Sequence, residues 1–115
     1  MNKPLIEACV DSYQSCINAA KAGADRLELC SHLIIGGTTP SPIVFKQVAR
    51  DIEGMGVKIN VLIRPRFGDF LYTEDEMELM CEEIKIFRDL GANGVVIGAL
   101  TPEGDLDIEK MKRMM

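Results

Sequence analysis

The chain has 115 residues, 47% of them hydrophobic and 27% charged, an ordinary globular balance that leaves room for one domain and argues against disorder. Its net charge is −5, and the basic residues are scattered rather than gathered into a stripe interleaved with aromatics, so nucleic acid is not an expected partner. No stretch reaches the roughly 18 apolar residues that cross a bilayer, and the N-terminus lacks a basic-then-apolar leader, so no membrane partner is expected and the cytoplasm is the expected location.

In chain order, a first strand is expected near 5–10, where Glu7-Ala8-Cys9-Val10-Asp11 alternates polar and apolar groups. A helix follows near 12–22 and stops at Gly23. The second strand, near 26–30, alternates in the same way through Arg26-Leu27-Glu28-Leu29-Cys30. Gly36-Gly37-Thr38-Thr39-Pro40-Ser41 reads as a tight turn, because it has no Walker spacing and no lysine after its glycines. Ser41-Pro42 then offers an N-cap and a first-turn proline to a helix near 42–53. The third strand, near 58–64, carries Asn60-Val61-Leu62-Ile63-Arg64, and the aromatics of Arg66-Phe67-Gly68-Asp69-Phe70-Leu71-Tyr72 pin the loop after it. Thr73 and Glu76 form a capping box for a helix near 75–90 that ends at Gly91. A fourth strand near 94–100 is apolar on both faces, and a charged helix near 107–115 closes the chain. Ala22-Gly23-Ala24-Asp25 and Leu90-Gly91-Ala92-Asn93 echo each other, each closing a helix and launching a strand.

Strand and helix alternate four times, which predicts an α/β fold of parallel units. The polar face shared by the first three strands suits the inside of a barrel near its mouth better than an open sheet covered on both sides. The expected architecture is therefore the first half of a TIM (β/α)8 barrel, with about four strands and four helices, and residues 1–115 form a single partial domain. A whole barrel takes about 250 residues. The chain is thus expected to be a fragment, with open sheet edges that invite a homo-oligomer or edge-to-edge association.

Alternate residues of a strand share a face, so Glu7, Cys9, Glu28, Cys30 and Arg64 point to one side. Cys9 and Cys30 each end a strand two residues after a glutamate. At similar depth on neighbouring strands, their thiols would lie close enough for one soft metal ion to bridge them, and Cu(I) fits a small sulfur set better than Zn(II), which wants four ligands. Buried cysteines that merely fill volume account for the pattern about equally well. His32 shares parity with Cys30 but falls where a loop has begun. Cys16 and Cys81 lie within helical patterns as small hydrophobes, and the helical spacing of Met111, Met114 and Met115 suits a core rather than a thioether site. Glu7, Glu28 and Arg64, with Arg66 and Asp69 at the rim, read either as a self-satisfied ion-pair cluster or as an enzyme site for a small anionic ligand. In the enzyme reading Glu7 or Glu28 is the acid or base, Arg64 and Arg66 are an anion clamp, and Asp69 lies beside them.

These motifs resemble the CutC copper-homeostasis family. The resemblance runs through Glu7-Ala8-Cys9-Val10-Asp11-Ser12, Gly23-Ala24-Asp25-Arg26-Leu27-Glu28-Leu29-Cys30-Ser31, Gly36-Gly37-Thr38-Thr39-Pro40-Ser41 and Ile63-Arg64-Pro65-Arg66. It continues through Gly68-Asp69-Phe70-Leu71-Tyr72 and Gly94-Val95-Val96-Ile97-Gly98-Ala99-Leu100-Thr101. It implies a cytoplasmic TIM-barrel protein linked to copper tolerance, with Cys9 and Cys30 as Cu(I) ligands. Phe67 stands where the family often has glycine, and His32 where asparagine or glycine is usual.

Overall fold

The structure is a computed structural model that describes residues 2–115. Its strands are β1 (Glu7–Val10), β2 (Arg26–Leu29), β3 (Lys58–Leu62) and β4 (Gly94–Val96), and its helices are α1 (Tyr13–Ala22), α2 (Pro42–Asp51), α3 (Glu74–Asp89) and α4 (Ile108–Met114). The four strands form one parallel sheet in the order β1-β2-β3-β4. Order in space thus follows order in sequence. A doubly wound sheet would reverse direction at a switch point, whereas a barrel wall does not.

The helix ends follow their sequence signals. Ser12 caps α1 by accepting from the amide of Ser15 at 3.1 Å, and Gly23 ends it in the left-handed region. Ser41 caps α2 ahead of Pro42. At α3 the capping box is complete: Thr73 Oγ1 accepts from the Glu76 amide at 3.2 Å, and Glu76 Oε1 accepts from the Thr73 amide at 3.0 Å. Thr73→Ala, which removes one half of this box, is expected to cost about 1 kcal/mol in urea denaturation. A loss too small to measure would show that the loop before α3 holds the helix end without it.

One face of each strand builds the core. Val10, Leu27, Leu29, Ile59, Val61 and Ile63 pack against Cys16, Phe45, Val48, Met77, Met80 and Phe87 of the helices. Met114 of α4 joins this layer, while Met115 lies exposed. The strands are shorter than their apolar runs, because the residues after each one leave the ladder to bond to neighbouring loops. Ser31 pairs with Thr38, Thr39 donates to the Arg64 carbonyl at 2.9 Å, and Leu100 donates to the Phe70 carbonyl at 3.0 Å.

The echoed helix-to-strand segments share one device. The Asp25 amide donates to the Ile6 carbonyl at 2.9 Å, and Asp25 Oδ2 accepts from the Ile6 amide at 2.8 Å. Asn93 treats Ile59 in the same way, at 2.9 and 2.8 Å. Each clasp sets the start of a strand pair, so the polar rows above it arrive in register.

Candidate functional site

The face of the sheet turned away from the helices is built in rows. In the lowest, Glu7 pairs with Arg26, which pairs in turn with Lys58. In the next, Cys9 is level with Glu28, Glu28 with Asn60, and Asn60 with Gly94. Cys30 follows one row nearer the mouth, and Arg64 lies at the rim, two residues past the last β3–β4 pair, Leu62 with Val96.

The two thiols therefore sit at different depths, contrary to the expectation of equal depth. The parallel register aligns Cys9 with Glu28 rather than with Cys30. What unites them is the carboxylate between them: Cys9 Sγ donates to Glu28 Oε2 at 3.1 Å, and Cys30 Sγ lies 3.8 Å from the same oxygen and 3.5 Å from the Glu28 carbonyl. All four cysteines are free. Two residues of stagger across one strand spacing put the Cα atoms of Cys9 and Cys30 about 8 Å apart, beyond the ~7 Å a disulfide spans.

Cys9 is exposed, whereas Cys30 is only 2% exposed. The loop after β2 closes over Cys30: a Cβ at Gly37 would lie 3.6 Å from that of Cys30 and 2.8 Å from Leu62 Cδ2, so glycine is needed there. The bond to Glu28, then partial burial and the charge of Glu28, push the Cys9 thiol up to about 11. Burial, followed by the charge of Glu28, pushes Cys30 up to about 12. Both sulfurs carry their protons at neutral pH.

The remaining charged residues have separate duties. The Glu7 carboxylate is ion-paired with Arg26. Arg66 is held by Glu76 at 2.6 Å, by Asp69 Oδ1 at 3.1 Å and by the carbonyls of Asp69 and Leu71 at 2.7 and 3.0 Å, with its guanidinium over the Tyr72 ring. The Arg66 donors thus fold the loop after β3. Arg64 instead donates to three backbone carbonyls, of Ile35, Gly37 and Gly68, at 3.1, 2.9 and 3.0 Å, and its guanidinium lies over Phe70. It joins the loops that follow β2 and β3. His32, at φ 52, lies on the first of these loops, with its Nδ1 3.0 Å from Thr38 Oγ1. Cys16 is in the core and Cys81 is half-buried on α3.

Strand alternation alone also marks Arg26 and Asn60, since each shares parity with a residue already singled out on its own strand, whereas Gly94 is marked only by its register with Asn60. Asn60 and Gly94 depend on each other. A Cβ at Gly94 would come within 2.8 Å of Asn60 Oδ1, so glycine there leaves the carboxamide its place beside Glu28.

Sequential parallel strands, helices on one side and chemistry on the other define one wall of a TIM-barrel protein. The chain belongs to the CutC family, whose family model matches residues 4–115. It is 47% identical over 111 residues to the human copper homeostasis protein cutC homolog, covering 96% of this chain and 40% of that protein. To a CutC family protein of Bacteroides fragilis strain YCH46 it is 44% identical over 116 residues, covering 100% of this chain and 45% of that one. The crystal structure of CutC from Streptococcus agalactiae superposes with a TM-score of 0.91 at 34% identity, covering 98% of this chain and 54% of that chain. An O-GlcNAc hydrolase from Thermobaculum terrenum, at 12% identity and a TM-score of 0.55, shares the fold alone. The chain thus spans about half the length of the CutC proteins it matches. Among the described residues no helix is long and apolar enough to cross a membrane, and no group of three or more His, Cys, Asp or Glu is arranged to hold a metal ion.

Proposed function

We propose that the chain serves copper homeostasis by binding Cu(I) through Cys9 and Cys30, whose thiols release their protons to become the thiolate ligands, at the barrel mouth, in the reducing cytoplasm. The observation that carries this reading is the convergence of both thiols on Glu28 Oε2. Two sulfurs aimed at one point on a polar face form a soft donor set, and Cu(I) accepts few ligands of that kind. Zn(II) would need further ligands, and no such group exists among the described residues. The stagger that disfavours a disulfide also favours this reading, since the pair cannot be lost to mutual oxidation without movement of the backbone. The human and mouse relatives, both called copper homeostasis proteins, support it.

Titration of the reduced protein with Cu(I) against a competing chelator is expected to show one copper bound with Cys9 and Cys30 present, and none in the Cys9→Ser, Cys30→Ser double variant. Unchanged stoichiometry in that variant would exclude the site. Cys16→Ser and Cys81→Ser should leave the titration unaltered, because neither sulfur lies on the polar face.

A further inference from the structure

Cys30 is buried, yet it stands outside the hydrophobic core cluster that buries Cys16. Its cover is the loop after β2, whose Gly37 packs against it. The roots of that loop are fixed: Ser31 and Thr38 exchange backbone bonds at 2.8 and 2.7 Å, and Thr39 donates to the Arg64 carbonyl. Between the roots, residues 32–37 bond mainly to themselves. The amides of Ile35 and Gly37 donate to the His32 carbonyl at 3.0 Å, and that of Gly36 donates to the Leu33 carbonyl at 2.9 Å. Such a segment moves as one piece, and His32, Gly36 and Gly37, all in the left-handed region, stand at its ends.

Little holds this piece down. Ile34 and Ile35 are exposed, so no apolar anchor comes from the short helix they belong to. Among the described residues three hydrogen bonds tie residues 32–37 to the chain beyond the roots, and two side chains make them. Asp11, past the end of β1, accepts from the Leu33 amide at 3.1 Å. Arg64, past the end of β3, donates through Nη1 to the carbonyls of Ile35 and Gly37 at 3.1 and 2.9 Å. β2 lies between β1 and β3, so both ties come from its immediate neighbours. Segments with few buried apolar contacts and few bonds are the ones that open locally, without global unfolding.

We propose that residues 32–37 are a flap that gates entry to Cys30, with Arg64 and Asp11 as its two latches. Closed, the flap leaves only Cys9 open to solvent; open, it exposes the second sulfur. The flap stands on geometry alone, and that the species admitted is Cu(I) rests on the copper reading above. In that reading the exposed Cys9 takes the ion first, and Cys30 joins when the flap lifts, each thiol giving its proton to solvent as its sulfur binds copper.

Iodoacetamide labelling at pH 8 with peptide mapping follows Cys9, Cys16 and Cys30 in one sample and tests the flap without metal. Arg64→Met removes one latch and is expected to speed Cys30 labelling by about tenfold or more, with Cys9 and Cys16 unchanged. Loss of a positive charge favours the protonated thiol, so faster labelling reads access rather than acidity. Gly37→Ala, at φ 94 and with its Cβ 2.8 Å from Leu62 Cδ2, strains the closed flap without altering charge. It is expected to speed Cys30 by about fivefold. Cys16, in the core, reports global unfolding; should Arg64→Met fail to fold, Gly37→Ala decides. An unchanged Cys30 rate in the folded variant, or Cys16 rising in step with Cys30 in both variants, would overturn the gate. Transfer of Cu(I) from a chelator is expected to be faster in Arg64→Met at unchanged stoichiometry, and an equal transfer rate would overturn gating of copper. No copper bound by the unaltered protein, with Cys30 labelling still governed by Arg64, would remove copper as the species admitted and uphold the flap.

Discussion

Glu28→Gln is expected to raise the alkylation rate of Cys9 at pH 8 by up to about tenfold. Cys9 is exposed, and exposure alone would make it reactive. Its thiol is nonetheless pushed up to about 11, first by the hydrogen bond it donates to Glu28 and then by burial and by the charges of Glu28 and Glu7. Only the thiolate attacks, so a rise of about two units from the ordinary value removes roughly 99% of the nucleophile at pH 8. The glutamine keeps the shape of the site and removes the charge, leaving Glu7 already paired with Arg26. Iodoacetamide kinetics with peptide mapping would read Cys9 apart from the buried Cys30. An unchanged rate would mean that Glu28 does not hold the proton on Cys9. The same perturbation has a consequence for stability. Cys9 and Cys16 are pushed up to about 11 and Cys30 to about 12, whereas an unfolded thiol titrates near ~8.5. The fold then keeps protons that the unfolded chain has lost, so its stability holds below about pH 8.5 and declines as pH rises toward these values.

Phe45→Ala is expected to lose about 3–5 kcal/mol in urea denaturation followed by circular dichroism. Phe45 and Phe87 are each 1% exposed and meet edge to face, with ring centroids 5.8 Å apart and planes at 78°. The pair locks α2 to α3 over the sheet. Alanine leaves a cavity facing the Phe87 ring, within the buried core, that rigid neighbours cannot fill. A typical domain has only about 5–15 kcal/mol in hand, so a loss this large leaves the chain marginal or unfolded. A cycle with Phe87→Ala should return a coupling of about 0.5–1.5 kcal/mol for the ring pair beyond area burial. A loss below about 1 kcal/mol for Phe45→Ala alone would show that α2 is held by its caps and loops instead.

Much of this architecture can be read before any coordinates. Ser41-Pro42, the Thr73/Glu76 box and the two helix-ending glycines mark real boundaries because each satisfies backbone groups locally, within a few residues. Strand alternation places Glu7, Cys9, Glu28, Cys30 and Arg64 on one face, since the pleat has a period of two whatever surrounds it. Boundaries drift where loops take part: the runs near 58–64 and 94–100 leave the ladder at Leu62 and Val96, because their ends bond to the loops of neighbouring units.

The amino-acid sequence by itself determines the parallel βα order, the helix caps and the division of each strand into an apolar and a chemical face, all of which depend on neighbours close along the chain. Register belongs to the tertiary structure. It sets Cys9 beside Glu28 and leaves Cys30 one row higher, converting an expected level pair of thiols into two donors on one carboxylate. The tertiary structure also separates Arg64 from Arg66, identical in type and two positions apart: Arg66 meets Glu76 and Asp69, while Arg64 meets only carbonyls and an aromatic ring. The physical reason is common to both cases. Parity along a strand is local, but which partner a side chain meets depends on the stagger between strands and on loops from distant parts of the chain.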